Sequence, residues 1–253
     1  MPSDQPEIWY SFFDRGNYYG DEPAFFDSQK LGWINEIEKN SEIIKNELAG
    51  LLKNQPVFQP YFNSSLVKKE FTWKTFSLSW WGVNLYKNQK LCPQTTQVIN
   101  RVKNLVSASF NLLEPGATIL PHCGDTNGIY RCHLGLIIPG TIPGCGFKVA
   151  EDSRSWEEGK TLVFCDAHKH TAWNFTDKPR YIFLFDVIRE EISAEKKMIC
   201  ATVLGSLFLQ KLGQQFPFLE KTPMKIQFIL HFIIKCLIVI YVPVRNLLSK
   251  IFS

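Results

Sequence analysis

The spacing of apolar residues divides the chain into blocks of different period. From Leu31 to Leu52 they recur at three- and four-residue intervals (Leu31, Ile34, Ile37, Ile44, Leu48, Leu51), the spacing of one face of an amphipathic helix. Residues 57–88 alternate in the manner of strands, most clearly in FTWKTFSLSWWG. A second helical stretch runs from Pro93 to Val106, with Pro-Gln-Thr-Thr as its start signal. Between Ser107 and Val187 come short runs rich in Leu, Ile, Phe and Val, punctuated by Gly and Pro, enough for about eight strands. Helices followed by that many short strands predict a mainly β barrel braced by N-terminal helices. The first thirty residues are aromatic and irregular, and no internal repeat is visible.

Residues 196–253 break this pattern. Two apolar stretches, MICATVLGSLFLQ and IQFILHFIIKCLIVIYVPV, stand among eight Lys/Arg and one acid, Glu220. Residues 1–195 then carry 20 basic against 23 acidic side chains, so a boundary between a barrel domain (1–195) and a basic, apolar helical tail (196–253) is expected. The second stretch is nearly long enough to span a bilayer, but His231 and Lys235 lie inside it. Three arrangements fit. The tail is a helical hairpin packed on the barrel or on a second copy as a homodimer, a helix lying in a membrane interface, or a true span. Basic residues between apolar ones favour a membrane surface over a span.

Composition narrows the function classes. A chain of 253 residues with 45% hydrophobic and 14% aromatic residues supports a substantial core and excludes disorder. A net charge of +4 is too small to point to nucleic acid. Seven cysteines without a C-x-x-C pair suggest no zinc framework. MPSDQPEIWYSFF has no basic segment ahead of an apolar run. Reduced thiols and a cytoplasmic setting are the expectation, with any membrane association through residues 196–253.

Four of the five histidines fall in two segments, PHCGDTNGIYRCHLGLIIPG and FCDAHKHTAWNFTDKPRYIFLFDV, which also hold Arg131 and Arg180. Imidazole is a good borderline ligand for Fe(II), and two of them leave positions open for a chelating acid and O2. A guanidinium at Arg180 can hold a carboxylate through two parallel hydrogen bonds while the other end of that acid meets the metal. Strand-like flanks would deliver these groups from neighbouring strands. A pair of buried structural histidines is the plainer alternative.

The pattern P-H-x-G-x-T-N-(x)3-R-x-H-L-G-L-x-I-P, then W-x-x-G-K-x-L-x-F, H-x-x-W-N and R-x-I-F-x-x-D-V, resembles the aspartyl/asparaginyl β-hydroxylase family from about Phe25 to Asp186. The resemblance implies a double-stranded β-helix (a jelly-roll, cupin-like barrel) and an Fe(II)- and 2-oxoglutarate-dependent oxygenase that also consumes O2. It implies His122 and His170 as metal ligands and Arg180 as the anchor for the distal carboxylate of 2-oxoglutarate. It places Arg131 and His133 near the co-substrate. Asn111 falls where family members often have Ser, and its amide can still donate a hydrogen bond.

Most such oxygenases carry H-x-D, but here Gly124 takes the Asp position, and Asp125 would alternate to the other face of a strand. His168 competes with His170, since two residues apart they share a face in an extended segment. Cys123, Trp156 and Trp173 read as buried side chains or pocket wall, and Gly144-Cys145-Gly146 as a turn. The implied substrate is an Asp or Asn side chain of a polypeptide or small molecule, hydroxylated at its β-carbon. The alternatives are hydroxylation of an acyl chain of a membrane lipid and, from another class, a non-catalytic cupin-like binding module.

Overall fold

The computed structural model describes residues 7–53, 58–219 and 221–253. The first six residues, the start of the expected strand region near residue 57, and Glu220 lie outside them. A turn of helix, α1 (Ser11–Asp14), and strand β1 (Phe25–Phe26) precede α2 (Ile34–Lys39) and α3 (Ser41–Lys53). Strands β2 (Gln59–Pro60), β3 (Trp73–Trp80) and β4 (Val83–Asn84) lead into helices α4 (Tyr86–Leu91) and α5 (Pro93–Asn100). Next come β5 (Leu105–Leu113), β6 (Ala117–His122), β7 (Ile129–Ile137), β8 (Cys145–Val149), β9 (Asp152–Arg154), β10 (Thr161–Phe164), β11 (His170–Asn174) and β12 (Arg180–Ile188). Two long helices close the chain, α6 (Lys196–Gln215) and α7 (Met224–Ile251).

The strands form two antiparallel sheets, one in the order β1-β10-β7-β12-β5-β3-β2 with β4 beside β3, the other β6-β11-β8-β9. This is a double-stranded β-helix braced by helices, as expected. Period-two alternation on the large sheet sorts its side chains. On β12, Tyr181, Phe183, Phe185 and Val187 join α2, α3 and α5 in one core cluster, while Arg180, Ile182, Leu184 and Asp186 line an interior cavity. On β5, Ala108, Phe110 and Leu112 go to the helices, and Ser107, Ser109 and Asn111 to the cavity. On β7, Cys132 and Leu134 face the helices, and Arg131 and His133 face inward. Burying one such Phe contributes roughly 1.5–3 kcal/mol. The sheet–helix seam with Phe76, Phe110, Phe183 and Phe185 therefore holds the wall from which the polar residues project.

The helices differ from the sequence reading in their limits. The single helix expected from Leu31 to Leu52 is broken at Asn40, whose Nδ2 donates to the Glu36 carbonyl at 2.7 Å and whose backbone leaves the helical region. A short amide that bonds the backbone competes with helix propagation. The helix expected to reach Val106 stops at Asn100. Asn104 takes a left-handed φ of 64°, and Leu105 already pairs in β5. Tyr86 to Asn88, expected as strand, open α4. Only Gly144 of the Gly-Cys-Gly run stays in a turn. Cys145 and Gly146 start β8, where a Cβ at 146 would overlap the Trp173 ring.

Helix α6 shares a core with the barrel. Ile199, Val203, Leu204 and Leu207 pack with Trp81, Val106, Ile129 and Ile188. The compositional boundary at 195/196 thus falls at the first residue of a helix whose inner face is buried.

Candidate functional site

His122 ends β6 and His170 begins β11, and the two are cross-strand partners with ring centroids 4.3 Å apart. Each ring is oriented in the same way. Nδ1 of His122 donates to the Leu120 carbonyl at 2.8 Å, and Nδ1 of His170 donates to the His168 carbonyl at 2.8 Å. Binding at Nδ1 leaves Nε2 of both rings as the unprotonated nitrogen, the form a metal takes. Burial holds both imidazoles below the usual value, His170 well below it with His122 as a second cause, so both stay neutral.

His168 does not share this arrangement. It precedes β11 in a turn, so strand alternation does not apply to it. Its Nε2 bonds the Glu22 carbonyl at 2.6 Å, its ring meets Tyr18 edge-on, and it is not on the cavity wall.

Arg180 opens β12 and is 1% exposed. Its guanidinium lies 4.6 Å over the Trp156 ring, and Nε and Nη1 have no hydrogen-bond partner among the described residues. Burial lowers its pKa to about 10. A buried guanidinium with spare donors facing a cavity is a receptor for a carboxylate. His133 lies nearby. It accepts from Trp156 Nε1 at 3.4 Å on Nδ1, which leaves Nε2–H as a donor. Burial, Arg180 and Arg131 together hold it well below the usual imidazole value.

Two expected contacts are engaged within the protein. Arg131 grips Asp186 through Nε (2.8 Å) and Nη2 (3.0 Å), and Asp166 through Nη1 (2.6 Å). It lines the cavity, but as the cation of a buried cluster. Asn111 accepts from Trp73 Nε1 at 3.2 Å and donates to Ser109 Oγ at 2.8 Å, so its amide braces the wall.

Asp166 and Asp186 carry no role in the sequence reading. Asp186 shares the parity of Arg180 on β12, a signal that was available in R-x-I-F-x-x-D-V. Asp166 sits in the turn before β11, with Oδ1 3.7 Å from His170 Nε2 and Oδ2 accepting the Asp125 N–H at 3.1 Å. Burial pushes it up to about 7 despite Arg131. Its carboxylate occupies the space beside Gly124, where any Cβ would overlap it. The glycine in the H-x-D position thus makes room for a carboxylate delivered from another loop. Asp125 lines the same cavity, because β6 ends at His122 and alternation stops there. Burial raises it to about 6. Cys123 is half-buried, with its thiol pushed up by burial, so it remains a thiol.

The cavity holds about 290 Å³. Two neutral imidazoles suit Fe(II). The cluster around Arg131 sets one cation against two bonded carboxyl groups, with Asp125 close by. Arg180 and His133 suit the carboxylates of a small diacid.

Several known proteins resemble this chain in sequence. The family profile described as aspartyl/asparaginyl beta-hydroxylase matches residues 38–190. An ornithine lipid ester-linked acyl 2-hydroxylase of Rhizobium tropici is 36% identical over 171 residues, covering 66% of this chain and 61% of that protein. The aspartyl/asparaginyl beta-hydroxylase of Mus musculus is 30% identical over 173 residues, covering 65% of this chain and 22% of the relative. The chain therefore matches from about a fifth to about three fifths of these relatives' lengths. Among solved structures, a 2OG-Fe(II) oxygenase family oxidoreductase from Burkholderia pseudomallei is similar with a TM-score of 0.41 and 12% identity, over 68% of this chain and 98% of that one. The family profile spans β5 to β12, including every residue that lines up the two imidazoles with the buried arginine, and the chain belongs to the aspartyl/asparaginyl β-hydroxylase family.

Proposed function

We propose that the chain is an Fe(II)- and 2-oxoglutarate-dependent hydroxylase whose substrate presents an acyl chain. One observation carries the chemistry: two Nε2-free imidazoles on paired strands share a cavity with a buried guanidinium that has unpartnered donors. When bound, iron with 2-oxoglutarate and O2 supplies the oxidising power to place oxygen on an unactivated C–H bond. His122 and His170 hold the metal. Arg180 pairs with the distal carboxylate of 2-oxoglutarate, and His133 donates to the acid from the side. Arg131 would hold Asp166 beside His170 while pairing with Asp186.

The cavity wall supports the acyl reading. Its cations among the described residues are Arg131 and Arg180. The first is bonded to two carboxylates and the second is taken by the co-substrate, so neither remains for an acidic substrate. Phe62, Trp80, Val83 and Leu85 form an apolar outer wall, with Phe62 and Trp80 partly exposed and 6.0 Å apart. The similarity to a relative named as an ornithine lipid ester-linked acyl 2-hydroxylase supports the same reading. A second reading, an Asp or Asn side chain, is supported by the hydroxyls of Thr75, Ser77, Ser79 and Ser109 on one wall. Ser79 Oγ has no partner among the described residues.

The test is succinate release from 2-oxoglutarate by the Fe(II)-loaded protein, followed by mass spectrometry of lipid extracts and Asp/Asn peptides for the gain of one oxygen. Oxygen on lipid supports the acyl reading, and oxygen on peptide alone replaces it with the second. No succinate, even uncoupled, would reduce the chain to a cupin-like binding module.

A further inference from the structure

Helix α7 is amphipathic the wrong way round for a soluble protein. Three of its polar residues, His231, Arg245 and Asn246, face inward. His231 is 2% exposed, donates from Nε2 to the Thr202 carbonyl at 2.9 Å, and stacks against Phe12. Fifteen residues on, Asn246 Nδ2 donates to the Gly82 carbonyl at 2.8 Å and its Oδ1 accepts from the Asn84 N–H at 3.0 Å. Arg245 bonds the Asn84 carbonyl as well. The outward positions are apolar: Ile229, Phe232, Ile233, Leu237, Ile240 and Leu247 are 49–68% exposed. Only 6% of the most apolar part of the helix is buried.

Length and composition alone would let α7 cross a bilayer, since it has 28 residues and its most apolar 18-residue stretch has a mean hydropathy of 2.1. Its attachments argue otherwise. His231 and Asn246 lie roughly 22 Å apart along the axis at 1.5 Å per residue. Both are pinned to the globular body, so the helix runs along the protein and cannot stand perpendicular to a membrane while these bonds hold. Ile238 and Val242, between them, pack on the cluster that contains Trp81 and Val203. An outward face this apolar needs a cover.

Charge selects the cover. Besides Arg245, which is bonded to the hairpin, α7 carries Lys225, Lys235 and Lys250 and no acidic residue. Symmetric pairing with a second copy would bring these cations together, whereas an anionic lipid surface complements them. We propose that α7 lies in the plane of an anionic bilayer surface, its outer face sunk at the headgroup–acyl boundary and its polar face bonded to the barrel. The hairpin gripped by Asn246 is the one that carries Trp80 and Trp81 into the cavity wall. Because Asn246 ties that hairpin to α7, the exposed Trp80 and its neighbour Phe62 are expected to lie near the membrane. The inference goes beyond the hydroxylase reading and uses no turnover measurement, so either can fail without the other.

The experiment uses the full chain and vesicles of phosphatidylcholine with and without phosphatidylglycerol, at low and high salt. Flotation should be strong on anionic vesicles, weaker on neutral ones, and reduced by salt. Phe232→Glu with Leu237→Glu should weaken partition at least about tenfold, with the thermal melt unchanged because both side chains face outward. An environment-sensitive dye is then placed at exposed Cys236, or at Ile229→Cys or Leu247→Cys in a Cys236→Ser background. Shallow lipid-borne quenchers should reach all three positions equally. A dye at Phe62→Cys should also report lipid, and one at Glu42→Cys, on the far helix α3, should not. A deep centre at 236 with shallow ends would mean a span. A vesicle-indifferent dimer that Phe232→Glu makes monomeric would mean a second copy. A vesicle-indifferent monomer also overturns the proposal.

Discussion

Replacing Arg180 with Met separates what this residue does for the fold from what it does for a ligand. The guanidinium is 1% exposed, yet Nε and Nη1 have no partner among the described residues. Burial takes its pKa from the ordinary 12.5 to about 10. At about 1.4 kcal/mol per pH unit, keeping that charge inside costs the unliganded protein about 3 kcal/mol. The Trp156 face 4.6 Å away offsets about 1–2 kcal/mol of this. Methionine has a similar stem and no charge, so the ligand-free variant should be more stable by about 1–2 kcal/mol. For a chain of this size that is a rise in Tm of about 2–8 °C.

Toward 2-oxoglutarate the sign reverses. A carboxylate set against a thioether is desolvated and unpaired, and removing one member of a buried pair costs about 3–5 kcal/mol. That corresponds to about two to three and a half orders of magnitude in Kd. The assay is calorimetric titration of 2-oxoglutarate with Mn(II) in place of Fe(II), so that no turnover occurs, alongside thermal melts with and without the acid. Wild-type protein should melt higher with 2-oxoglutarate, and Arg180→Met should not respond. If the variant binds 2-oxoglutarate as wild type does, Arg180 is not the anchor. A variant that loses stability without ligand would show that the guanidinium is satisfied by the fold itself.

The other expectations rest on single contacts. His122→Ala and His170→Ala should each abolish succinate formation. His168→Ala should retain most of it, because that ring is bonded to Glu22, and the reverse ranking would reassign the ligands. Gly124→Ala must displace the Asp166 carboxylate and should cost about 1–3 kcal/mol in urea unfolding, as overpacking does. Asp166→Ala in the same chain should recover part of that loss, whereas strict additivity in the double-mutant cycle would mean that the two do not touch. A chain ending at Glu195 removes α6 from the cluster with Trp81, Ile129 and Ile188 and should lose its cooperative melt, while one ending at Thr222 should keep it. A normal melt for the shorter chain would place α6 outside the core.

The barrel was legible because its signal is local. In β3 and β5 apolar and polar residues alternate, and the structure turns one set to the helices and the other to the cavity, whereas the nearly continuous apolar run of β12 supplies both faces. The helix limits were less legible, because Asn40 and Asn104 act through conformations that a periodic pattern does not register. His168 and Asp125 show where alternation misleads. Both were placed by counting in twos, yet both lie beyond the ends of their strands, where the period no longer holds. The inward polar face of α7 was also hidden. A run of apolar residues with His231 inside it reads the same whether the histidine faces the barrel or the solvent.

The roles of Arg131 and Asp166 were hidden for a different reason: each depends on contacts with residues far away in the chain. Arg131 is held by Asp186 and Asp166, 55 and 35 residues away. Asp166 reaches the vicinity of His170 because Gly124, 42 residues earlier in the chain, leaves the volume for it. The three acids and one arginine form a unit in which no member is neutralised alone. Removing Arg131 would leave Asp166 and Asp186 buried without a counter-ion, an arrangement that low-dielectric surroundings penalise heavily. A divalent ion on the two imidazoles, as proposed above, would favour the ionised form of the raised Asp166. Asp166 touches both the Arg131 guanidinium and the edge of the His170 ring, so on the proposed reading a metal on the imidazoles would be coupled to the integrity of this cluster.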